Sequence, residues 1–191
     1  MIPDNAADSN PRRLAIRCLL ADRVHNGIVI HSAGGFPTRT GQELLDPLRT
    51  VAAYAMPVES PDLGEAASQF AVTLRELAGE PPIIDLAHLV PGPNGPTAPL
   101  VPGDPVLDVR NADVALSGPY QGRRRMTLTY PILHRARRVL WVVTGGEKQD
   151  MVNRLLSGDC GIPAGRVSSE RALLLADSAA AGQRASTTSA I

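Results

Sequence analysis

Cysteine, unbalanced charge and long apolar runs are all scarce in this chain. Its 191 residues hold two cysteines, Cys18 and Cys160, far apart in sequence. That argues against a disulfide framework and against a structural zinc site. Nineteen Lys and Arg balance nineteen Asp and Glu, so the formal net charge is zero. A neutral chain has no general electrostatic grip on nucleic acid or on an anionic membrane, so neither is expected as a partner. No apolar run approaches the roughly 20 residues of a membrane helix. The opening MIPDNAADSNPRR carries two acids before its first arginine, unlike a secretion signal. The expectation is a soluble, cytoplasmic protein. Hydrophobic residues make up 43% of the chain, enough for a real core. One domain over residues 1–177 is expected, with a divergent insert at 24–50 and a flexible tail at 178–191. Seventeen Pro and seventeen Gly foretell long loops.

Apolar periodicity places the elements. Ser9 or Asn10 can cap a helix that has Pro11 in its first turn and runs through Leu14 and Leu19. Residues 27–31 and 51–55 read as short strands. Between them lie a glycine turn at 33–35 and a helical pattern through Leu44 and Leu48. Ser60 or Asp62 starts an amphipathic helix with Ala66, Ala67, Phe70, Leu74 and Leu77 on one face. Residues 83–90 form an apolar run broken by Asp85 and His88, read as a central buried strand. A loop rich in Pro and Gly spans 91–105. Residues 126–130 alternate as a strand does, and Pro131 opens a short helix. Residues 138–144 form the clearest buried strand. Gly145 and Gly146 turn into a helix over 147–156, and Leu173 to Leu175 form a last strand. Buried strands alternating with helices predict an α/β fold with a mostly parallel sheet.

Two stretches are more specific. Residues 85–103, DLAHLVPGPNGPTAPLVPG, align without a gap on a family stretch written D-L-V-L-L-G-L-G-E-D-G-H-T-A-S-L-F-P-G. Asp85, Leu86, Leu89, Gly92, Gly95, Thr97, Ala98, Leu100, Pro102 and Gly103 match. Residues 124–148, RRMTLTYPILHRARRVLWVVTGGEK, are similar to R-R-I-T-L-T-L-P-x-L-x-x-A-R-x-V-x-x-L-V-T-G-x-E-K. Leu155, Gly158, Asp159, Pro163, Ala164 and Val167 continue the likeness, as do Met56-Pro57-Val58-Glu59 and Asp8-Ser9-Asn10. In these residues the chain resembles the 6-phosphogluconolactonase family. The resemblance implies the doubly wound, mostly parallel α/β sheet shared with glucosamine-6-phosphate deaminases. It also implies hydrolysis of 6-phosphoglucono-1,5-lactone to 6-phosphogluconate in the pentose phosphate pathway, with no metal and no cofactor. The partner it implies is a small sugar phosphate.

That chemistry needs a base for the attacking water, donors for the oxyanion, and a grip on the 6-phosphate. The family's base is the His of G-H-T, and this chain has Pro96 there. Proline cannot take a proton. Pro93 and Asn94 stand where the family has two acids, and Tyr120 stands where it has a lysine. The family's G-G-S-T phosphate loop and D-E-R segment precede S-N, and the chain starts just before S-N. The expectation is therefore a sheet missing its first strands and a weak or inactive site. Either the 24–50 insert supplies a replacement strand, or a second copy covers the edge as a homo-oligomer.

Gly95, Thr97, Arg124 and Arg125 are the substrate-binding candidates. No catalytic residue is intact. Arg124 and Arg125 match family positions and have forks suited to phosphate oxygens, although a solvated basic cluster explains them equally well. Arg123 reads as solvated surface. His88 reads as a packed histidine with one hydrogen bond rather than a substitute base, and His134 reads as exposed. His25 and His31 fall in the insert. The turn at 33–35 is similar to the missing phosphate loop, but an ordinary strand-to-helix turn accounts for it. Gly145-Gly146-Glu147-Lys148 lacks the spacing of a phosphate loop. Three functions are compatible with these residues: a working lactonase, a non-catalytic homologue binding a sugar phosphate or a protein, and an isomerase or deaminase. The last fits the 97–103 stretch least well.

Overall fold

A computed structural model of the chain describes residues 28–31, 52–119, 122, 124–167, 169–182 and 189–190. The helix expected at 10–19, the turn at 33–35 and the helix through Leu44 lie outside the described residues. So do Cys18, His25, Tyr120 and Arg123, and the stretch on which the expectation of missing first strands falls.

Strand β1 (Ile28–His31) pairs in parallel with β2 (Ala52–Ala55), Ile28 opposite Ala52. These two strands form a separate two-stranded sheet and do not extend the main one. Helix α1 (Leu63–Ala78) follows, and Asp62 caps it by accepting the Glu65 N–H at 3.0 Å. Ala66, Ala67, Phe70 and Leu74 recur at helical spacing and are buried. Burial of Phe70 or Leu74 stabilises by roughly 1.5–3 kcal/mol each.

Then come β3 (Ala87–Leu89), β4 (Val114–Leu116), β5 (Met126–Leu128), helix α2 (Tyr130–Arg135) and β6 (Val139–Val143). Helix α3 (Gln149–Leu156), β7 (Ala172–Ala176), helix α4 (Ser178–Ala181) and β8 (Ser189–Ala190) complete the order. The main sheet runs β3-β6-β7-β8, with the first three strands parallel and β8 antiparallel to β7. This is the expected α/β class with a parallel sheet. Strand β6 sits between two parallel neighbours and all five of its residues are buried, which is why it reads as an unbroken apolar run. Beyond Asp177, where a tail was expected, the described residues form α4 and β8.

The 83–90 strand needs correction. Only Ala87, His88 and Leu89 pair, and they lie at the margin of the four-stranded sheet. Ile83 is 39% exposed. Its N–H donates to the Ala78 carbonyl at 3.0 Å, so it closes the exit of α1 instead of joining a ladder. Pro81 and Pro82 just before it have no N–H to give. His88 is exposed rather than packed.

Strand β5 also differs from expectation. It pairs antiparallel with β4, Val114 opposite Leu128, in a two-stranded sheet of its own.

Candidate functional site

The candidate loop leaves the end of β3 and folds on itself through its own backbone. Gly92 N–H donates to the Pro96 carbonyl at 2.7 Å, and Gly95 N–H donates to the Gly92 carbonyl at 3.0 Å. A Cβ on Gly92 would lie 2.6 Å from Pro96 Cγ, so the bare glycine lets the proline ring settle on the chain. Thr97 and Leu100 exchange both backbone hydrogen bonds, at 3.2 and 3.0 Å, around Ala98 and Pro99. Ala98 adopts φ 46° to close this turn.

Thr97 is buried, and its hydroxyl lies 3.4 Å from the Val90 carbonyl it donates to. Gly95 is buried as well, at φ 80°. Its carbonyl accepts the Ala164 N–H at 3.0 Å, and a Cβ there would meet Ile162 Cβ at 2.5 Å. Gly95→Ala is expected to destabilise the fold by about 1–3 kcal/mol, since it adds a clash to an unfavourable φ. Gly79→Ala, at φ 87° with nothing within 4 Å, isolates the backbone cost. Urea denaturation of the two variants should show the larger loss at Gly95.

Arg124 and Arg125 reach the loop through its exit. Both are exposed and directly precede β5. Arg124 Nε lies 3.5 Å from the Ser117 carbonyl it donates to, and the Arg125 backbone pairs with Ser117. Next to Ser117, the Gly118 N–H donates to Asp104 Oδ2 at 2.8 Å, while Asp104 Oδ1 accepts the Val106 N–H at 2.9 Å. Asp104 follows the loop directly. One carboxylate thus fastens the arginine-bearing hairpin to the end of the 91–103 loop.

Other groups near the loop carried weaker sequence signals. Lys148 Nζ donates to the Pro91 carbonyl at 3.2 Å, placing a cation at the loop entrance. Asp177 accepts the N–H of Gly145, at 3.2 and 3.1 Å, and that of Ala180 at 2.8 Å. Lys148 was readable only as part of the G-x-E-K match, and Asp177 only as the residue before the expected tail. Among the described residues, no group of three or more His, Cys, Asp or Glu is placed to hold a metal ion. No described helix is long and apolar enough to cross a membrane.

A loop that follows the carboxyl end of a parallel strand is the usual place for a ligand pocket in such sheets. Two clefts stand out among the described residues, and the loop lines neither. A narrow one lies beside Val139 and Arg171. A roomier one, about 370 Å³, is lined by Arg110, Tyr130, Pro131, His134 and Arg166.

Tyr130 is 4% exposed and donates its hydroxyl to the Pro163 carbonyl at 3.0 Å. Burial pushes its pKa up to about 12, although Arg166 and Arg110 pull the other way. The folded value lies above the unfolded one of about 10. The stabilisation is therefore complete below pH 10 and lost as pH rises through about 12. An ultraviolet titration should show a late phenolate transition that Tyr130→Phe removes.

Taken together, the parallel sheet, the loop after β3 and the turn after β6 define an α/β domain with a parallel sheet. The chain belongs to the family described as glucosamine-6-phosphate isomerases/6-phosphogluconolactonase, whose model matches residues 38–175. It is similar to the 6-phosphogluconolactonase of Rattus norvegicus, 38% identical over 118 residues, covering 59% of this chain and 44% of that one. The chain thus spans less than half the length of that relative. Among solved structures it resembles the 6-phosphogluconolactonase of Leishmania guyanensis, with TM-score 0.64 and 18% identity over 90% of this chain and 92% of that one. It also resembles a monomeric glucosamine-6-phosphate deaminase, with TM-score 0.63 and 16% identity over 90% and 82%. These structures share the fold.

Proposed function

We propose that the chain is a 6-phosphogluconolactonase homologue that keeps a sugar-phosphate-binding surface and hydrolyses 6-phosphoglucono-1,5-lactone weakly or not at all. The observation that carries this reading is Pro96, at the loop position where the resemblance puts the general base. Its carbonyl is taken by Gly92 N–H and its ring packs on Gly92, so the position offers no proton acceptor to a water. Lys148, the cation near the loop entrance, can polarise an oxygen but cannot act as a base while protonated. Gly95 and Thr97 shape the loop, and Arg124 and Arg125 supply forks for the phosphate. The reading needs no metal or cofactor, and it places the protein in the cytoplasm with sugar phosphates.

The test is lactone hydrolysis by the purified chain, corrected for spontaneous opening, alongside binding of 6-phosphogluconate. A rate close to buffer is expected, with binding at least about tenfold weaker in Arg124→Ala/Arg125→Ala. Each charge-assisted contact to phosphate is worth roughly 1.5–3 kcal/mol. Robust turnover, unchanged in the double variant, would overturn both the weak-enzyme reading and the named site.

A further inference from the structure

We propose that the cleft of Arg110, Tyr130, Pro131, His134 and Arg166 is a second ligand site, one that takes a small phosphate monoester. It is distinct from the 91–103 loop and does not rest on the lactonase reading.

Three separate stretches of chain build it. Arg110 follows the turn Pro105–Asp108, the aromatic floor comes from α2, and Arg166 ends the turn Ala164–Arg166. A volume of about 370 Å³ holds a phosphate with a sugar attached. The two guanidiniums are held in place mainly by neutral carbonyls. Arg110 Nη1 donates to the Leu107 carbonyl at 2.8 Å, and Arg166 Nε donates to the Cys160 carbonyl at 2.9 Å. Carbonyl acceptors carry no net charge, so both cations keep theirs.

Among the described residues, the terminal nitrogens of Arg166 have no hydrogen-bond partner. The nearest carboxylate to Arg110 is Asp108, at 3.8 Å, with the two side chains 65% and 83% exposed. Such a pair is weak and readily exchanged for a ligand. No acid lines the cleft.

The floor is flat and partly apolar. The rings of Tyr130 and His134 stack with centroids 5.6 Å apart and planes 25° from parallel. His134 Nε2 lies 2.8 Å from the Arg166 carbonyl. A carbonyl only accepts, so Nε2 carries the proton, and Nδ1 of the neutral ring is left to accept from a sugar hydroxyl while the arginines take the phosphate. Arg166 and Arg110 both act on the buried Tyr130 hydroxyl, with Asp108 opposing them more weakly. Two guanidinium forks suit the several oxygens of a phosphate dianion better than a lone carboxylate. A stacked aromatic floor suits the body of the ester. The cleft is a single pocket on a chain of zero net charge, which favours a small molecule over a polynucleotide.

The experiment is a two-dimensional NMR titration of the full chain with glucose 6-phosphate and, separately, with inorganic phosphate. The His134 ring and Arg166 side-chain signals report on this cleft, and the Gly95 and Thr97 amides report on the loop. Saturable shifts of His134 and Arg166 are expected, with glucose 6-phosphate binding more tightly than phosphate. Arg166→Ala and Arg110→Ala should each weaken this binding at least tenfold, while Arg124→Ala/Arg125→Ala leaves it unchanged. Both cleft arginines are exposed, so either variant serves should the other fail to fold. Equal affinity for the two ligands overturns the monoester assignment. Unmoved His134 signals, or shifts lost only in the Arg124→Ala/Arg125→Ala variant, overturn the site itself.

Discussion

Replacing Pro96 with His is expected to raise lactone hydrolysis by about 10²-fold, the lower end of what a positioned general base contributes. The frame that would hold the imidazole is already present. On one side the Gly95 carbonyl is fixed by Ala164 N–H, and on the other Thr97 pairs with Leu100. The Pro96 carbonyl accepts Gly92 N–H through backbone atoms that the substitution leaves alone. Gly92 has no side chain to obstruct the ring. The gain should fade below about pH 6.5, where a histidine protonates and stops acting as a base. Pro96→Ala is the control. It frees the same backbone without adding a base and should leave the rate near that of buffer. An equal gain from alanine would show that loop stiffness, and not the absent base, limits the chain. No gain from histidine would move the deficit to the phosphate grip.

The largest stability effect is expected from Trp141→Ala, at about 3–5 kcal/mol. Trp141 lies in the middle of β6, opposite Leu89 on one side and Leu174 on the other, and is 2% exposed. Removing the indole leaves a void that two parallel neighbours and their connections cannot close. Trp141 is the chain's single tryptophan, so circular dichroism rather than fluorescence must follow the urea transition. Ile83→Ala should cost less than about 1 kcal/mol, because Ile83 already faces solvent. Comparable losses at the two positions would mean that 83–86 belongs to the core after all.

These two positions also show what the sequence could and could not carry. Residues 139–143 were legible because a strand buried on both faces must be apolar throughout. Residues 83–90 look alike in composition, yet composition does not record where an amide goes. The Ile83 N–H goes back to α1, and pairing starts only at Ala87. Strand β4 went unread because three residues among polar neighbours give no period. The 91–103 loop was located by its family motif, and its self-bonding explains why glycine recurs there. The Arg110–Arg166 cleft had no signal in the sequence at all. Its members are up to 56 positions apart by their numbering and meet only through tertiary packing.

The hydrogen bonds at Asp177 decide what the turn after β6 can offer to a ligand. Gly145 N–H, which a bare turn would offer to an incoming anion, is already spent on the Asp177 carboxylate. A Cβ on Gly145 would also lie 2.4 Å from Glu147 Oε2, so a second carboxylate crowds the same turn. Two negative side chains therefore guard the carboxyl end of β6, with Lys148 turned instead to the Pro91 carbonyl. The turn thus offers an incoming anion no free Gly145 amide. The same strand-to-helix turn that many α/β proteins use as an anion cradle here works as a fence.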